Sequence, residues 1–504
     1  MTIVPVDDVW LRLDCDEHIA REVSEHFSFD VPGAKFMPQF RNRSWTGKIR
    51  LFKLRGHLLY RGLLPRLLEF AMQQGYEVTN LVPVPDPLMP ELSSWIDAQP
   101  LPVIPRDYQV AALRAMLDAH RGIILSPTGS GKSLIIYLLL QALATSTLVI
   151  VPTTGLVAQM KDDFTKYGAD PTTLQTIQGG RTKERQSSIV ISTWQSIYQQ
   201  PPEYFKQFQC VIVDEVHLAK SKSLTNLMEK CHSTPYRFGF TGTLDDTQAH
   251  RLILEGLFGS VTRVISTHQL VKQQQLTPLK VKLCAIKYPV ATCKDMRRAL
   301  YQDEVEFLVT DPARLEIVAR TAAATKGNTL VLFNYVEKHG KPLFQRIQDI
   351  VGDRDVHFVS GEVSAEEREQ IRQWVEQSER QIIVASYGTF STGINIPNLD
   401  TLIFASPSKS KIRVLQSVGR SLRLHKNKTH ATLIDFIDDL RIGSSVNHTF
   451  RHAEQRVQYY AAERFPYTFH EFDLEKWVSI LSTPIANDTE TGLGRTNATS
   501  FKGR

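Results

Sequence analysis

Eight residues, Ser126-Pro127-Thr128-Gly129-Ser130-Gly131-Lys132-Ser133, follow directly on the apolar run Gly122-Ile123-Ile124-Leu125 and lead into Leu134-Ile135-Ile136-Tyr137-Leu138-Leu139-Leu140. Buried strand, glycine turn and apolar helix in that order belong to a parallel α/β layer, with the turn open to a ligand. Gly129 and Gly131 let the backbone turn tightly enough to aim N–H groups at phosphate oxygens, while Pro127, Thr128 and Ser130 complete the loop. Lys132 adds a point charge, and the Ser133 hydroxyl suits Mg2+. The positive end of the following helix faces the same phosphates. A bare Gly-Lys-Ser is usually only a turn; the flanking strand and helix make this one a nucleotide site. Ser126 stands where the widest form of the motif has glycine, and so small a residue leaves the mechanism intact.

The chain has 504 residues, 42% hydrophobic and 22% charged, enough for three or four globular domains. It contains no run of about 18 apolar residues, and Met1 to Trp10 is acidic without a signal-peptide core, so a cytoplasmic location is expected. Cys15, Cys210, Cys231, Cys284 and Cys293 are scattered without C-x-x-C spacing, which argues against a disulfide frame, a zinc site or an iron–sulfur cluster. The net charge of +6 suits polyanions, but its distribution says more than its sum.

From Lys35 to Arg66 there are nine basic residues, including Arg41, Arg43, Lys48 and Arg50, and no Asp or Glu. Phe36, Phe40, Trp45, Phe52 and Tyr60 are interleaved with them. Such a strip can neutralise phosphates and stack on bases; it can equally be a small domain with an aromatic core and solvated cations. Proline-rich stretches at 82–90 and 99–105 then read as a linker.

Beyond the linker, apolar runs alternate with helical stretches, the pattern of parallel α/β folds. Runs at 147–151, 188–192, 209–213 and 237–241 predict one sheet; runs at 329–333, 355–359, 381–385, 401–405 and 431–435 predict a second. The join is expected near 275–325. The polar stretch 482–504 reads as a disordered tail.

Val211-Ile212-Val213 runs straight into Asp214-Glu215-Val216-His217. Carboxylates at the end of a parallel strand beside a phosphate loop can hold Mg2+, through Asp214, and polarise water, through Glu215. In isolation the pair could cap a helix instead. His217 either couples this site to moving parts or bonds locally, and Thr241-Gly242-Thr243 is too short to assign unaided. In the second sheet, Gln416-Ser417-Val418-Gly419-Arg420-Ser421-Leu422-Arg423 spaces Arg420 and Arg423 to share one face of a helical turn. Guanidinium groups there could meet a transferring phosphate. The surrounding Lys409, Lys411, Arg413, Lys426 and Lys428 form a basic band that could equally face nucleic acid.

Taken in chain order, Arg106-Asp107-Tyr108-Gln109, the phosphate loop, Val151 to Thr154, Thr193-Trp194-Gln195, Asp214 to His217 and Thr241 to Thr243 resemble the motif series of a superfamily 2 helicase. Leu332-Phe333, Val359-Ser360-Gly361, Ser391 to Asn395 and Gln416 to Arg423 continue it. The resemblance implies two tandem RecA-like α/β domains at 91–275 and 276–447, preceded by a small basic α+β nucleic-acid-binding domain at 1–90. A helical C-terminal segment at 448–481 and the tail would follow. It also implies ATP and Mg2+ as cofactors. Arg106 and Gln109 would lie at adenine, the loop and Gly393 at ATP, and Ser133 and Asp214 at the metal. Lys132, Asp214, Glu215, Arg420 and Arg423 would be catalytic, the two arginines reaching ATP from the second domain. His217, Thr241, Thr243 and Gln416 would couple hydrolysis to movement. Thr153, Thr193, Gly361 and Thr392 would touch nucleic acid, as would Arg41, Arg43, Trp45, Lys48 and Arg50.

The expected activity is ATP-driven remodelling of forks, four-way junctions and D-loops and unwinding of RNA–DNA hybrids, by a monomer with recombination or replication proteins as partners. Two rival readings are a duplex translocase that separates no strands and an annealing protein that uses ATP as a switch. Thr241-Gly242-Thr243 and Val216 are mild departures from the family pattern. They bear on substrate preference more than on ATP hydrolysis.

Overall fold

The computed structural model describes residues 1–481 apart from 32, 179–183, 219–221, 245–247, 392–395, 397 and 426–427, and apart from a few side chains that include Arg420. The chain forms two compact units, the first Met1–Ile265 and the second beginning at Ser266.

Within the first eighty residues the strands are β1 (Thr2–Pro5), β2 (Trp10–Asp14), β3 (Ser28–Asp30), β4 (Lys48–Arg50), β5 (Leu58–Tyr60) and β6 (Thr79–Asn80). They build a four-stranded sheet in the order β5-β2-β1-β6 and a separate antiparallel ribbon, β3-β4. Alternation sets the sheet's faces: Leu11 and Leu13 of β2 are fully buried, and Arg12 between them is exposed.

Seven parallel strands follow: β7 (Arg121–Leu125), β8 (Thr147–Val151), β9 (Leu174–Ile177), β10 (Ile189–Thr193), β11 (Cys210–Asp214), β12 (Tyr236–Thr241) and β13 (Val261–Arg263). Their order is β13-β7-β12-β11-β8-β10-β9. Strands β8 and β10 are buried at every residue, as strands covered on both faces must be. The order places the C-terminal ends of β7, β12 and β11 side by side, although β7 ends at Leu125, β11 at Asp214 and β12 at Thr241.

One apolar core joins the N-terminal sheet to this parallel sheet: Ile3, Leu11, Leu59 and Leu63 share it with Val211, Val213, Leu254 and Phe258. Glycines permit the close approach. A Cβ on Gly62 would fall 2.1 Å from the Glu255 carbonyl oxygen, and one on Gly256 would fall 2.9 Å from the Tyr60 ring. Polar ties frame the seam: Tyr60 donates to Glu229 at 2.5 Å, Arg61 pairs with Asp8 at 2.8 Å, and Arg66 pairs with Glu255.

The second unit holds seven more parallel strands: β14 (Leu279–Lys287), β15 (Thr329–Phe333), β16 (Val356–Val359), β17 (Ile382–Ser386), β18 (Thr401–Phe404), β19 (Ala431–Asp439) and β20 (Tyr467–Asp473). Their order is β16-β17-β15-β18-β19-β14-β20. Strand β14 lies in the stretch expected to be only a join. Its lysines at 280 and 282 interrupt the apolar run, yet they are exposed while Leu279, Val281 and Leu283 are buried. The segment expected to be helical from 448 to 481 holds helices His448–Ala462 and Leu474–Leu481 with β20 between them. Among the described residues that strand pairs on one side only, and its polar residues suit an edge.

Candidate nucleotide and nucleic-acid site

The phosphate loop closes on itself. Ser126 donates its hydroxyl to Ser130 Oγ at 2.6 Å, both side chains being fully buried, and the Ser126 N–H reaches the Thr241 carbonyl at 2.9 Å. The serine found in place of glycine thus braces the loop. Gly129 and Gly131 have φ of +84° and +77°, values that L side chains resist, and Gly131 caps the helix Lys132–Leu143. A Cβ on Gly131 would also strike Gln109 Nε2 at 2.4 Å.

Gln109 is locked rather than free. Its Oε1 accepts the Arg106 N–H at 2.9 Å, and its Nε2 donates to the Ser130 carbonyl at 3.0 Å. Tyr108 donates to the same carbonyl at 2.7 Å and accepts from Arg106 Nη1 at 3.0 Å. The segment expected to read adenine therefore holds the floor of the phosphate loop, and Tyr108 joins it.

Across the sheet edge, Asp214 ends β11 and Glu215 adopts φ +53°, which turns the chain sharply beside the loop. Lys132 Nζ lies 3.7 Å from Glu215 Oε1. Asp214 accepts the Glu215 N–H at 2.9 Å, but burial, followed by the adjacent Glu215 charge, pushes its carboxyl up to about 6. His217, 1% exposed, places Nδ1 3.2 Å from Glu215 Oε2 and 2.8 Å from Thr241 Oγ1. The Thr241 hydroxyl donates to the Thr243 carbonyl at 2.8 Å, so it accepts from His217, whose Nδ1 carries the proton. A polar chain thus runs from Glu215 through His217 and Thr241 to Thr243. Gly242 lies against the phosphate loop, where a Cβ would be in ordinary contact with Thr128 at 3.4 Å and Lys132 Nζ at 3.6 Å. Ser133 Oγ lies 3.0 Å from the Tyr167 hydroxyl, a residue that no sequence motif marks. Thr153 and Thr193 lie at the same edge, Thr153 capping Leu156 N and Thr193 hydrogen-bonded to Ser196 Oγ.

In the second unit, Gln416 lies on the helix Lys411–Ser421, which follows β18. Past its end at Ser421 the chain is tied to Thr277, which donates its N–H to the Leu422 carbonyl at 2.7 Å and its hydroxyl to the Arg423 carbonyl at 3.0 Å. With the helix ending at Ser421, Arg423 falls past it instead of sharing a helical face with Arg420. Gly361 follows β16 with open space where a Cβ would be. Thr392, Gly393 and the Arg420 side chain lie outside the described residues.

A relative from Enterobacteria phage T4, the ATP-dependent DNA helicase uvsW, is 33% identical over 92% of this chain and 98% of its own length. The chain belongs to the UvsW family of superfamily 2 DNA helicases. The crystal structure of T4 UvsW aligns over 94% of this chain and 99% of its own, with a TM-score of 0.50 and 32% identity. Profiles agree region by region: "DNA helicase UvsW, N-terminal" matches 5–80, "Type III restriction enzyme, res subunit" matches 103–246, and "Helicase conserved C-terminal domain" matches 313–425. The DNA 3'-5' translocase XPB2 of Sulfurisphaera tokodaii is 27% identical over 68% of this chain and 84% of its own length. As a UvsW-family helicase the chain uses ATP, and its two parallel sheets are the RecA-like domains that the motif series implies.

In the region matched to the UvsW N-terminal profile, the structure divides the basic strip. Lys48 pairs with Glu25 at 3.1 Å, Arg50 lies 3.7 Å from the same carboxylate, and Trp45 donates Nε1–H to the Lys48 carbonyl at 2.9 Å. Arg61 and Arg66 belong to the seam described above. Arg41 and Arg43 lie exposed on the excursion between β3 and β4, with Phe36 67% exposed beside them. Lys35, Arg50, Lys53 and Arg55 of the same strip are exposed as well.

Proposed function

We propose that this helicase remodels branched DNA (forks, four-way junctions and D-loops) and unwinds RNA–DNA hybrids, acting as a monomer in the cytoplasm with Mg2+ as the companion of ATP. The observation that carries the reading is the polar chain from Glu215 to Thr243 at the mouth of the phosphate loop, in a unit that shares one core with the basic N-terminal sheet. A change at the γ-phosphate felt by Glu215 can pass through His217 to the backbone at Thr243.

Lys132 and the loop N–H groups would hold the phosphates, and Glu215 would orient and deprotonate the attacking water. Asp214 and the Ser133 hydroxyl fit Mg2+: a carboxyl raised by burial beside a second carboxylate gains from a cation, and Mg2+ takes one or two protein oxygens with phosphates and water. The ion, when bound, would neutralise phosphate charge. Arg420 and Arg423 are proposed as the arginines that stabilise the transferring phosphoryl group. Thr153, Thr193, Gly361 and Thr392 are proposed for the nucleic-acid track, and Arg41 and Arg43 for junction binding.

The test is ATP hydrolysis and product formation on fork, four-way junction, D-loop, R-loop and linear duplex substrates at one stated salt concentration. Branched substrates should stimulate hydrolysis about tenfold more than linear duplex and yield separated or regressed products. Equal stimulation by linear duplex, with triplex displacement but no strand separation, would replace this reading with the translocase.

A further inference from the structure

Strand β19 carries two buried Asp–Arg–Tyr clusters of the same composition, three residues apart and therefore on opposite faces of the sheet. In one, Arg314 grips Asp438 with Nε at 2.7 Å and Nη2 at 3.1 Å, and Tyr288 donates to the same carboxylate at 3.0 Å. In the other, Arg456 grips Asp435 with Nε and Nη2, both at 2.8 Å, and Tyr460 donates to it at 2.8 Å. All six side chains are buried.

The clusters differ in where the guanidinium's remaining N–H groups go. Arg456 also donates Nη1–H to the Ser408 carbonyl at 2.9 Å and Nη2–H to the Phe436 carbonyl at 3.2 Å. Ser408 lies two residues before Ser410, which caps the helix Lys411–Ser421 by accepting the Arg413 N–H at 3.3 Å. The helix His448–Ala462 that supplies Arg456 also carries His452, whose ring lies edge-on to Tyr301 at 5.1 Å; burial and then the Lys409 and Arg456 charges push that imidazole down to about 4. Tyr387, which donates to the Ser406 carbonyl at 3.3 Å, braces the same segment from its other end. No hydrogen bond of Arg314 among the described residues reaches it.

We propose that Arg456 is a positioning residue: it fixes the base of the helix that bears Gln416 and Arg420 by clamping the Ser408 carbonyl to Asp435 of the sheet. The proposal rests on the reading that Arg420 and Arg423 serve the transferring phosphate. A planar fork held bidentately through Nε and Nη2 fixes the direction of its remaining N–H groups, and here Nη1 is aimed at the Ser408 carbonyl and the second Nη2–H at the Phe436 carbonyl. An ammonium could neutralise Asp435 but could not reproduce both grips. The residue lies outside the stretch matched to the helicase C-terminal profile, which ends at 425.

The experiment compares two triple variants of the full chain: Asp435→Leu, Arg456→Met, Tyr460→Phe, and the matched Asp438→Leu, Arg314→Met, Tyr288→Phe. Replacing a whole buried ionic cluster by apolar residues is often neutral for stability, so each variant is expected to fold. Thermal melting and DNA binding without ATP provide the check. For the Arg456 set, DNA-stimulated kcat should fall about ten- to a hundredfold, with the KM for ATP within about twofold, because misplacing a transition-state group costs rate more than binding. The Arg314 set should hold kcat within about threefold. Arg456→Lys, which keeps the charge opposite Asp435, should show the same loss of kcat and answers the question if a triple variant does not fold. Near-normal turnover in the folded Arg456 variants, or equal losses in both sets, overturns the proposal. If the unmodified chain itself shows no DNA-stimulated hydrolysis, the functional reading fails instead.

Discussion

The two parallel sheets share strand number and direction but treat their acidic residues in opposite ways. At the edge of the first, Asp214 and Glu215 stand side by side, and burial with like charge raises Asp214 to about 6. Within the second, Asp435 and Asp438 are each gripped bidentately by a buried arginine. Carboxylates left in mutual conflict are primed to receive a cation and a water molecule; carboxylates already matched hold elements in place. The first sheet therefore leaves its carboxylate pair at the strand end open to a ligand, while the second pairs its acids internally, and of the two only the Asp435 cluster extends to the Ser408 carbonyl before the helix Lys411–Ser421.

The largest expected effect tests the first half of this contrast. Lys132→Ala should lower DNA-stimulated ATP hydrolysis at least about a hundredfold and abolish unwinding, with DNA binding by the nucleotide-free protein intact. Undiminished unwinding would remove the phosphate loop from the mechanism.

Next in size is a stability effect in the second sheet. Asp435→Asn leaves the Arg456 guanidinium buried without its counter-charge and should cost about 3–5 kcal/mol, read by urea unfolding. A loss below about 1 kcal/mol would show that the cluster does not bear on folding.

The same substitution in the first sheet should act with the opposite sign. A carboxyl whose folded pKa is raised costs stability when ionised; the cost is full above about pH 6 and fades as pH falls through 6 toward the unfolded value of about 3.9. Asp214→Asn should therefore stabilise the ligand-free protein by on the order of 1–2 kcal/mol at pH 8 and by nothing near pH 4. A pH-independent change would remove the electrostatic half of the comparison.

Much of this architecture is legible in the sequence. Runs such as Thr147–Val151 and Thr329–Phe333 predict strands that the structure reproduces residue for residue, because strands covered on both faces must be continuously apolar. Strands β14 and β20 escape that rule: one alternates lysines with buried residues, the other is a polar edge. In the site, the loop glycines and the Asp214-Glu215 pair carry their chemistry in residue type and spacing. Tyr167 beside Ser133 and Thr277 beneath Arg423 carry no such signal, because each reaches its partner from a distant part of the chain. The basic strip shows the converse, since composition alone cannot tell Lys48 and Arg50, near Glu25, from the exposed Arg41 and Arg43.

The sequence by itself determined that a phosphate loop and a carboxylate pair lie at the ends of strands in one α/β layer and that an arginine segment lies on a helical stretch of a second, since glycine placement and apolar runs are local properties of a chain. The tertiary structure alone decided which partners those groups meet. Strand order brings β7, β12 and β11 together so that His217 can bridge Glu215 and Thr241, and the return of the chain after β19 delivers Arg456 to Asp435 and Ser408. Hydrogen bonds depend on a few tenths of an ångström between residues far apart in sequence, and only the packed fold sets such distances.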